Sequence, residues 1–302
     1  MFFALLPLVS FAGGFTLTAE NDLFFKTDRD YTHGTKLSYL FDSAPSWTDK
    51  LMKGEKRWAT SLGQYIYSPK DIEYGQSSVN DRPYGGWLYL GNSISVRNGN
   101  RLDFFEIDVG VTGPNSLSEE SQEIVHDWTG SQKPVGWENQ IKERIGIDLA
   151  YQQKYKFGND YVDIIPSYGG CLGNIFTYAN VGVMGRVGLN LPDDFGFYKS
   201  EPNTRLSKDA EDIDWTKVSS VFIFVSGEER WVLENIFLDG ETYEHHYMIE
   251  ERPFVTDLMV GIGIIYGNIN LIVADTFRSK EFYGQENPDR FSTISISISR
   301  PF

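Results

Sequence analysis

Apolar and polar side chains alternate along several segments of the chain, most clearly in its last eleven residues. Ile294, Ile296 and Ile298 have one parity there, and Ser295 and Ser297 have the other. A β-strand turns successive side chains to opposite faces, so the segment predicts a strand with one apolar and one polar face. Such a strand commonly closes an outer-membrane barrel, but it could also end a soluble β-sandwich.

The same alternation recurs upstream, in residues 35–41, 87–96, 102–111 and 143–151. In one of these segments Ile107 lies between Glu106 and Asp108. Charged side chains on the polar faces suit a water-filled lumen better than a dry, packed interior. Aromatic residues make up 15% of the chain, which fits the aromatic girdles of a membrane barrel.

These patterns predict an all-β fold, a transmembrane antiparallel β-barrel of about 12 strands. The expected strand centres lie near residues 18, 37, 62, 90, 106, 147, 165, 182, 223, 258, 274 and 296. No run of about 18 apolar residues is present, so a transmembrane helix is not expected. The apolar residues 1–13 resemble a signal peptide without its usual positive start, and residues 14–302 are expected to form the barrel domain.

Turn signals set the orientation of the predicted barrel. Asn98-Gly99-Asn100, Gly158-Asn159-Asp160 and Gly267-Asn268 predict tight hairpins at one end, the end expected to be periplasmic. Residues 44–56 and 190–214 are longer links at that same end. Ser116 and Glu119 form a capping-box pattern, which predicts a short helix in an outer loop over residues 116–126.

The net charge of −15 argues against a nucleic-acid partner, because phosphate binding needs basic patches. The acid excess fits cation binding, and it fits plain solubility equally well. The chain has no Gly-x-Ser-x-Gly motif, which weakens any assignment as a serine hydrolase.

The predicted topology gathers several distant polar residues at the outer rim. They are Asn21, Asp22, Thr32, Asp81, Arg82 and His126. A general base beside acidic, hydroxyl and amide groups is what water-mediated ester cleavage requires. Simpler explanations also exist, because Asn-Asp is a common turn pair and Asp-Arg is more often an ion pair. A histidine at a helix end is often only favoured by the helix dipole.

Seven segments in order along the chain resemble the outer-membrane lipid A 3′-O-deacylases. They are Thr18–Asp22, Asp30–Gly34, Gln64–Pro69, Asp81–Tyr84, Thr112–Pro114, Val125–His126 and Gly136–Gln140. The resemblance implies a twelve-stranded barrel in the bacterial outer membrane. It implies that this barrel hydrolyses the 3′ acyloxyacyl ester of lipid A, with lipopolysaccharide of the outer leaflet as its partner.

The resemblance also implies roles for individual residues. His126 falls on the general base, Asp22 on the ligand of a divalent cation, calcium, and Asn21 and Thr32 on polar positions that orient the ester. Gln132 stands where the best-known family form has a glutamate, which puts the cation affinity in question. Two alternatives stay open, an outer-membrane phospholipase or esterase acting on other lipids, and a non-enzymatic pore or adhesion scaffold. The sequence indicates no oligomeric state.

Overall fold

The computed structural model describes residues 13–22, 30–41, 43–50, 52–70, 72, 81–197, 218–239 and 249–299. The predicted signal peptide lies outside these residues except for Gly13, with which the first strand begins. No helix in the described ranges is long and apolar enough to cross a membrane.

Twelve long strands dominate the described residues. They are β1 Gly13–Asn21, β2 Asp30–Phe41, β3 Glu55–Ser68, β4 Gly85–Asn98, β5 Arg101–Thr112, β6 Ile145–Tyr155, β7 Val162–Gly173, β8 Phe176–Leu189, β9 Val218–Asn235, β10 Phe254–Tyr266, β11 Ile269–Arg278 and β12 Asp289–Ser299. The two-residue strand Phe157–Gly158 continues β6 against β7. Every predicted strand centre falls inside one of the observed strands.

Each strand pairs antiparallel with the next, and the first strand also pairs with the last. Gly14 of β1 lies opposite both Leu40 of β2 and Ser299 of β12. The sheet is therefore closed, and the predicted antiparallel barrel is confirmed. Closure leaves no unpaired sheet edge, which a bilayer requires because lipid cannot hydrogen-bond the backbone.

The predicted alternation separates the two faces of the barrel wall. On β12, Ile296 and Ile298 are 41% and 46% exposed, whereas Ser295 is only 2% exposed. Outward side chains also form a row that crosses neighbouring strands in register, here called the aliphatic row. Its members are Ile296, Leu17, Leu37, Leu62, Leu90 and Val109. All six are between 41% and 60% exposed, as lipid-facing residues should be.

The short links lie at one end, as predicted. Gly99 and Gly267, with φ angles of 62° and 55°, turn the β4–β5 and β10–β11 hairpins. This is the left-handed region in which glycine pays no Cβ penalty. The longer β2–β3 link at this end includes the 3₁₀ helix Ser46–Lys50.

The interior is less uniformly polar than the sequence pattern suggests. One apolar cluster, around Trp87, Phe237 and Phe291, fills the end opposite the short links, and another, around Phe222 and Phe224, fills the end at which the short links lie. A cavity reaches residues of both clusters, and charged side chains line part of it. They include Glu20, Glu106, Asp108, Lys154 and Arg230.

The predicted helix in the third outer loop is present as α1, Ser118–Thr129, but the predicted capping box is wrong. The 3₁₀ helix Gly113–Ser116 comes first, and Leu117, at a φ of 56°, is the N-cap. Ser116 therefore precedes the cap, and its hydroxyl donates to the Ser118 hydroxyl at 2.9 Å. Two further short helices lie at the outer end, the 3₁₀ helix Trp137–Asn139 and α2, Ile236–Asp239.

Candidate active site

A β-bulge at the outer end of β2 shapes one wall of the candidate site. Tyr31 pairs with Tyr67 of β3 and His33 pairs with Ile66, so Thr32 is the extra residue between them. The Asp22 amide donates to the Thr32 carbonyl at 3.4 Å, which holds the end of β1 against the bulge. Bulges are often found beside active sites because they redirect a side chain out of the regular alternation.

Asn21 lies beside the bulge and is held by a neighbouring histidine. Its side-chain amide nitrogen lies 3.3 Å from Nδ1 of His33, whose Nε2 lies 2.6 Å from the Thr35 hydroxyl. The amide can donate only to an unprotonated Nδ1, so His33 must carry its proton on Nε2 and donate it to Thr35. The pair of bonds fixes the orientation of the Asn21 side chain.

Helix α1 lies against the outer surface of the barrel wall. Gln64 of β3 shares the outward parity of Leu62 in the aliphatic row, and its side-chain amide donates to the Ser116 carbonyl at 2.7 Å. Ser68, also at an outward position, accepts a hydrogen bond from Gln122 at 3.1 Å. The helix therefore crosses the outward faces of β3 and β4 instead of closing over the lumen.

Gln122 fixes the height of α1 on the wall. Its side-chain oxygen accepts a hydrogen bond from the indole of Trp137 at 2.9 Å, while its nitrogen donates to Ser68. Both Gln122 and Trp137 are buried. Since both polar ends of the amide are used, the helix is tied to the strand on one side and to the following loop on the other.

The end of α1 sets the orientation of His126. Gly130, at a φ of 71°, ends the helix in the left-handed conformation, and the amide of Ser131 donates to the His126 carbonyl at 3.1 Å. The chain then folds back so that Nδ1–H of His126 donates to the main-chain carbonyl of Gln132. A carbonyl can only accept, so the neutral imidazole carries its proton on Nδ1 and its lone pair on Nε2.

These groups meet in one narrow cleft between α1 and the barrel wall. Its lining residues are Asn21, Thr32, His33, Ile66, Ser121, Gln122, Val125 and His126. The aliphatic row crosses β1 four residues below Asn21, roughly 13 Å along the strand. The cleft is therefore on the lipid-facing side of the barrel, above the aliphatic row.

The structure brings together some of the predicted site residues and separates others. Asn21, Thr32 and His126 line the cleft, and Asp22 is fully buried and tied to Thr32 by its backbone. Gln132 reaches His126 through its main chain.

Asp81 and Arg82 do not line this cleft. The carboxylate of Asp81 accepts from the backbone amides of Lys70 and Arg82 at 2.7 and 2.9 Å. The Arg82 guanidinium is fully buried and pairs with Glu281 at 2.8 Å and with Asp30 at 3.3 Å.

The pairing of Arg82 controls the charge of Glu281. Burial alone raises the pKa of this carboxyl, but the guanidinium groups of Arg82, Arg278 and Arg230 outweigh it and hold the pKa below its usual range. Glu281 is therefore ionised at neutral pH. Arg82 thus belongs to a buried ion network that ties the β3–β4 loop to the end of β11.

The residues beside the cleft fit a hard divalent cation through oxygen donors. The Thr32 hydroxyl is buried and has no hydrogen-bond partner among the described residues, as expected of an atom kept for another ligand. The buried Asp22 carboxylate precedes the undescribed residues 23–29. No group of three His, Cys, Asp or Glu residues suited to a metal occurs within the described ranges, so neutral oxygens would complete the shell.

Sequence reasoning missed several residues of the cleft. Gln122 and Ser121 lie one turn before His126 and Val125, so helical spacing could have found them once α1 was placed. His33 lies in one of the resembling segments, but the resemblance assigns it no role. Its contact with Asn21 needs the cross-strand register of β1 and β2, which no local pattern reveals.

We expect Gly130→Ala to reduce activity several-fold by disturbing the fold-back that places Gln132 against His126. An added Cβ at Gly130 meets nothing within 4 Å, so the cost is conformational, about 1–2 kcal/mol for a left-handed residue. Gly99→Ala is the matched control, because Gly99 also has a positive φ and open space but lies in a distant hairpin. Ester-cleavage rates of both variants, measured beside their unfolding, test this. Equal loss of activity in the two variants would refute the positioning role.

Comparisons with known proteins give a family match and several structural matches. A family model described as outer membrane protein LpxR matches residues 1–300. LpxR from Salmonella typhimurium has a similar fold, with a TM-score of 0.77 and 20% identity, covering 95% of this chain and 99% of that one. The β domain of the Bordetella autotransporter Brka gives a TM-score of 0.45 at 10% identity, covering 95% and 98% of the two chains. None of the curated proteins matches the sequence.

Proposed function

We propose that this chain, which belongs to the LpxR family of outer-membrane lipid A 3′-O-deacylases, cleaves the 3′ acyloxyacyl ester of lipid A with His126 as the general base. The chain is thus an ester hydrolase of the outer membrane that acts on lipid A. The observation that carries the proposed mechanism is the imidazole of His126, oriented by a main-chain carbonyl, in a cleft on the lipid-facing wall. An ester of an outer-leaflet lipid reaches that wall without leaving the membrane.

The tautomer of His126 suits this role. With Nδ1–H donated to Gln132, Nε2 takes the proton of a water molecule as that water attacks the ester carbonyl. Nε2 then returns the proton to the departing alkoxide, so the imidazole ends the cycle neutral. A positioned base of this kind contributes about 10²–10⁴-fold to the rate.

The remaining cleft residues orient the ester. The Asn21 side chain, held by His33, and the Thr32 hydroxyl lie on the wall opposite α1. In the proposed mechanism, their polar groups hold the substrate carbonyl and the attacking water beside His126.

Asp22 and Thr32 are the residues that would hold the cation, calcium. When bound, the cation would polarise the ester carbonyl and stabilise negative charge on its oxygen. Gln132 in place of a glutamate leaves the His126 contact intact, because that contact uses the main-chain carbonyl. A glutamine side chain can still offer an uncharged oxygen to a cation, but it supplies no negative charge.

Mass spectrometry of lipid A from cells with and without this protein tests the reaction directly. The expected result is loss of the 3′ acyloxyacyl group in the presence of the protein. Purified phospholipids assayed side by side separate the alternative substrate class. Release of fatty acid from phospholipids alone, with lipid A unchanged, would favour the esterase of other lipids.

We expect Asp22→Ala to lower deacylation at least tenfold at low calcium, with partial recovery as calcium is raised. The reason is that one carboxylate supplies the only formal charge of the proposed oxygen shell. Thr32→Val is the companion change, because it replaces the neutral hydroxyl with a methyl group of similar volume. Its loss of activity should be smaller than that of Asp22→Ala. Activity that survives both a chelator and Asp22→Ala would remove the cation from the mechanism.

A further inference from the structure

The face of α1 that points away from the barrel is divided into two unlike flanks. Ile124 and Trp128, one turn apart, are 51% and 85% exposed, and Leu117 just before the helix is 50% exposed. We call these three residues the apolar flank. The acidic flank lies on the other side of the helix and consists of Glu119, Glu120, Glu123 and Asp127. An amphipathic helix of this type is typical of a membrane interface.

The contacts of α1 show which flank points towards the membrane. His126, on the acidic side of Gln122, bonds the loop that follows α1, and that loop bonds the β3–β4 outer loop. Ser121 and Val125 lie on the other side of Gln122, which faces away from those outer loops. At 3.6 residues per turn, the rotation that leads from Gln122 to Ser121 and Val125 leads next to Ile124 and Trp128. The apolar flank therefore continues the cleft in the direction of the aliphatic row.

We propose that the apolar flank of α1 enters the acyl-chain layer of the outer leaflet and forms, with the aliphatic row, a continuous apolar track to the cleft. The occupant is the acyl chain of a leaflet lipid, because the flank adjoins the lipid-facing wall of an outer-membrane barrel. The acidic flank remains on the water side, where its charges stay hydrated. For the identity of the lipid whose ester is cleaved, this inference rests on the proposed function, but insertion of α1 does not.

Fluorescence quenching tests the insertion. The protein is reconstituted into phosphatidylcholine vesicles with bromine atoms on the acyl chains, either near the headgroup or deep in the chain. The chain has seven Trp residues, so the signal of Trp128 is taken as the difference between wild type and Trp128→Phe. We expect this difference signal to be quenched more strongly by shallow bromines than by deep ones. An unquenched signal in both vesicles, with the emission of a hydrated indole, would overturn the proposal.

Kinetics supply the second measurement. Ile124→Ser and Trp128→Ser should raise the KM for lipid A in vesicles by about tenfold, because each removes one apolar side chain that would lie in the acyl-chain layer. The kcat should change little, since neither residue lines the cleft. Glu120→Ser, an exposed helix position on the acidic flank, is the matched control and should leave KM unchanged. Equal effects of the three serine variants would contradict the proposal, whereas loss of kcat in His126 variants bears only on the proposed function.

Discussion

His126→Ala is expected to abolish deacylation and leave a folded, membrane-inserted barrel. The base is worth about 10²–10⁴ in rate, and the alanine variant has no group that can take the proton from water. The side chain lies on α1, outside the strand ladder, so barrel closure does not depend on it. Mass spectrometry of lipid A reports the activity, and heat-modifiable migration on a gel reports the folded barrel.

His126→Asn is the sharper variant for the same question. An asparagine amide can donate to the Gln132 carbonyl as the imidazole does, but it cannot accept a proton at neutral pH. Inactivity of both variants with intact barrels is the expected pattern. Activity retained by His126→Asn would mean that the side chain only positions the loop, and the base would have to be sought elsewhere in the cleft.

Arg82→Met is expected to destabilise the barrel strongly while sparing the chemistry of the folded fraction. Removing the guanidinium leaves Asp30 and Glu281 buried without this partner, a loss of about 3–5 kcal/mol for a buried pair. Arg97→Met is the matched control, because Arg97 pairs with Asp193, whose side chain is 75% exposed, and such pairs are worth about 0–1 kcal/mol. Urea unfolding of the reconstituted proteins measures both, and equal stability losses would contradict a structural role for Arg82.

The same network gives the stability of the wild type a dependence on acid. Because the folded pKa of Glu281 is held below its usual value, its contribution is present above the unfolded pKa of about 4.3 and is lost as the pH falls through the folded pKa. Arg82→Met raises the folded pKa, so the variant should lose less stability than wild type on acidification below about pH 4.

Much of the fold was accessible from the sequence because a barrel wall is a period-two pattern. The alternation of residues such as Ser295 and Ile296 assigns each side chain to one face of the sheet without knowledge of distant contacts. Turns such as Gly267-Asn268 mark where the chain reverses. The helix was also accessible, although its start was not. Leu117 adopts a left-handed conformation that a capping-box pattern does not anticipate.

The site was accessible only in part. Family resemblance pointed to His126, Asn21 and Thr32, yet it gave no indication that they lie on the outward side of the wall. That placement depends on the bulge at Thr32 and on the bonds of Gln64 and Gln122 to α1 and β3. Such contacts join distant segments and leave no periodic trace. Arg82 differs from these residues, because the sequence predicts it at the rim site but its guanidinium is buried in ion pairs with Asp30 and Glu281.

Because the cleft lies on the lipid-facing wall, both substrate and products can stay within one leaflet throughout turnover. Encounter is then a lateral search in two dimensions, and the relevant concentration is the mole fraction of lipid A among its neighbours. Dilution with inert lipid at constant bulk amount should slow the enzyme, whereas dilution of whole vesicles with buffer should not. The freed fatty acid would diffuse away sideways, and no passage through the barrel is needed.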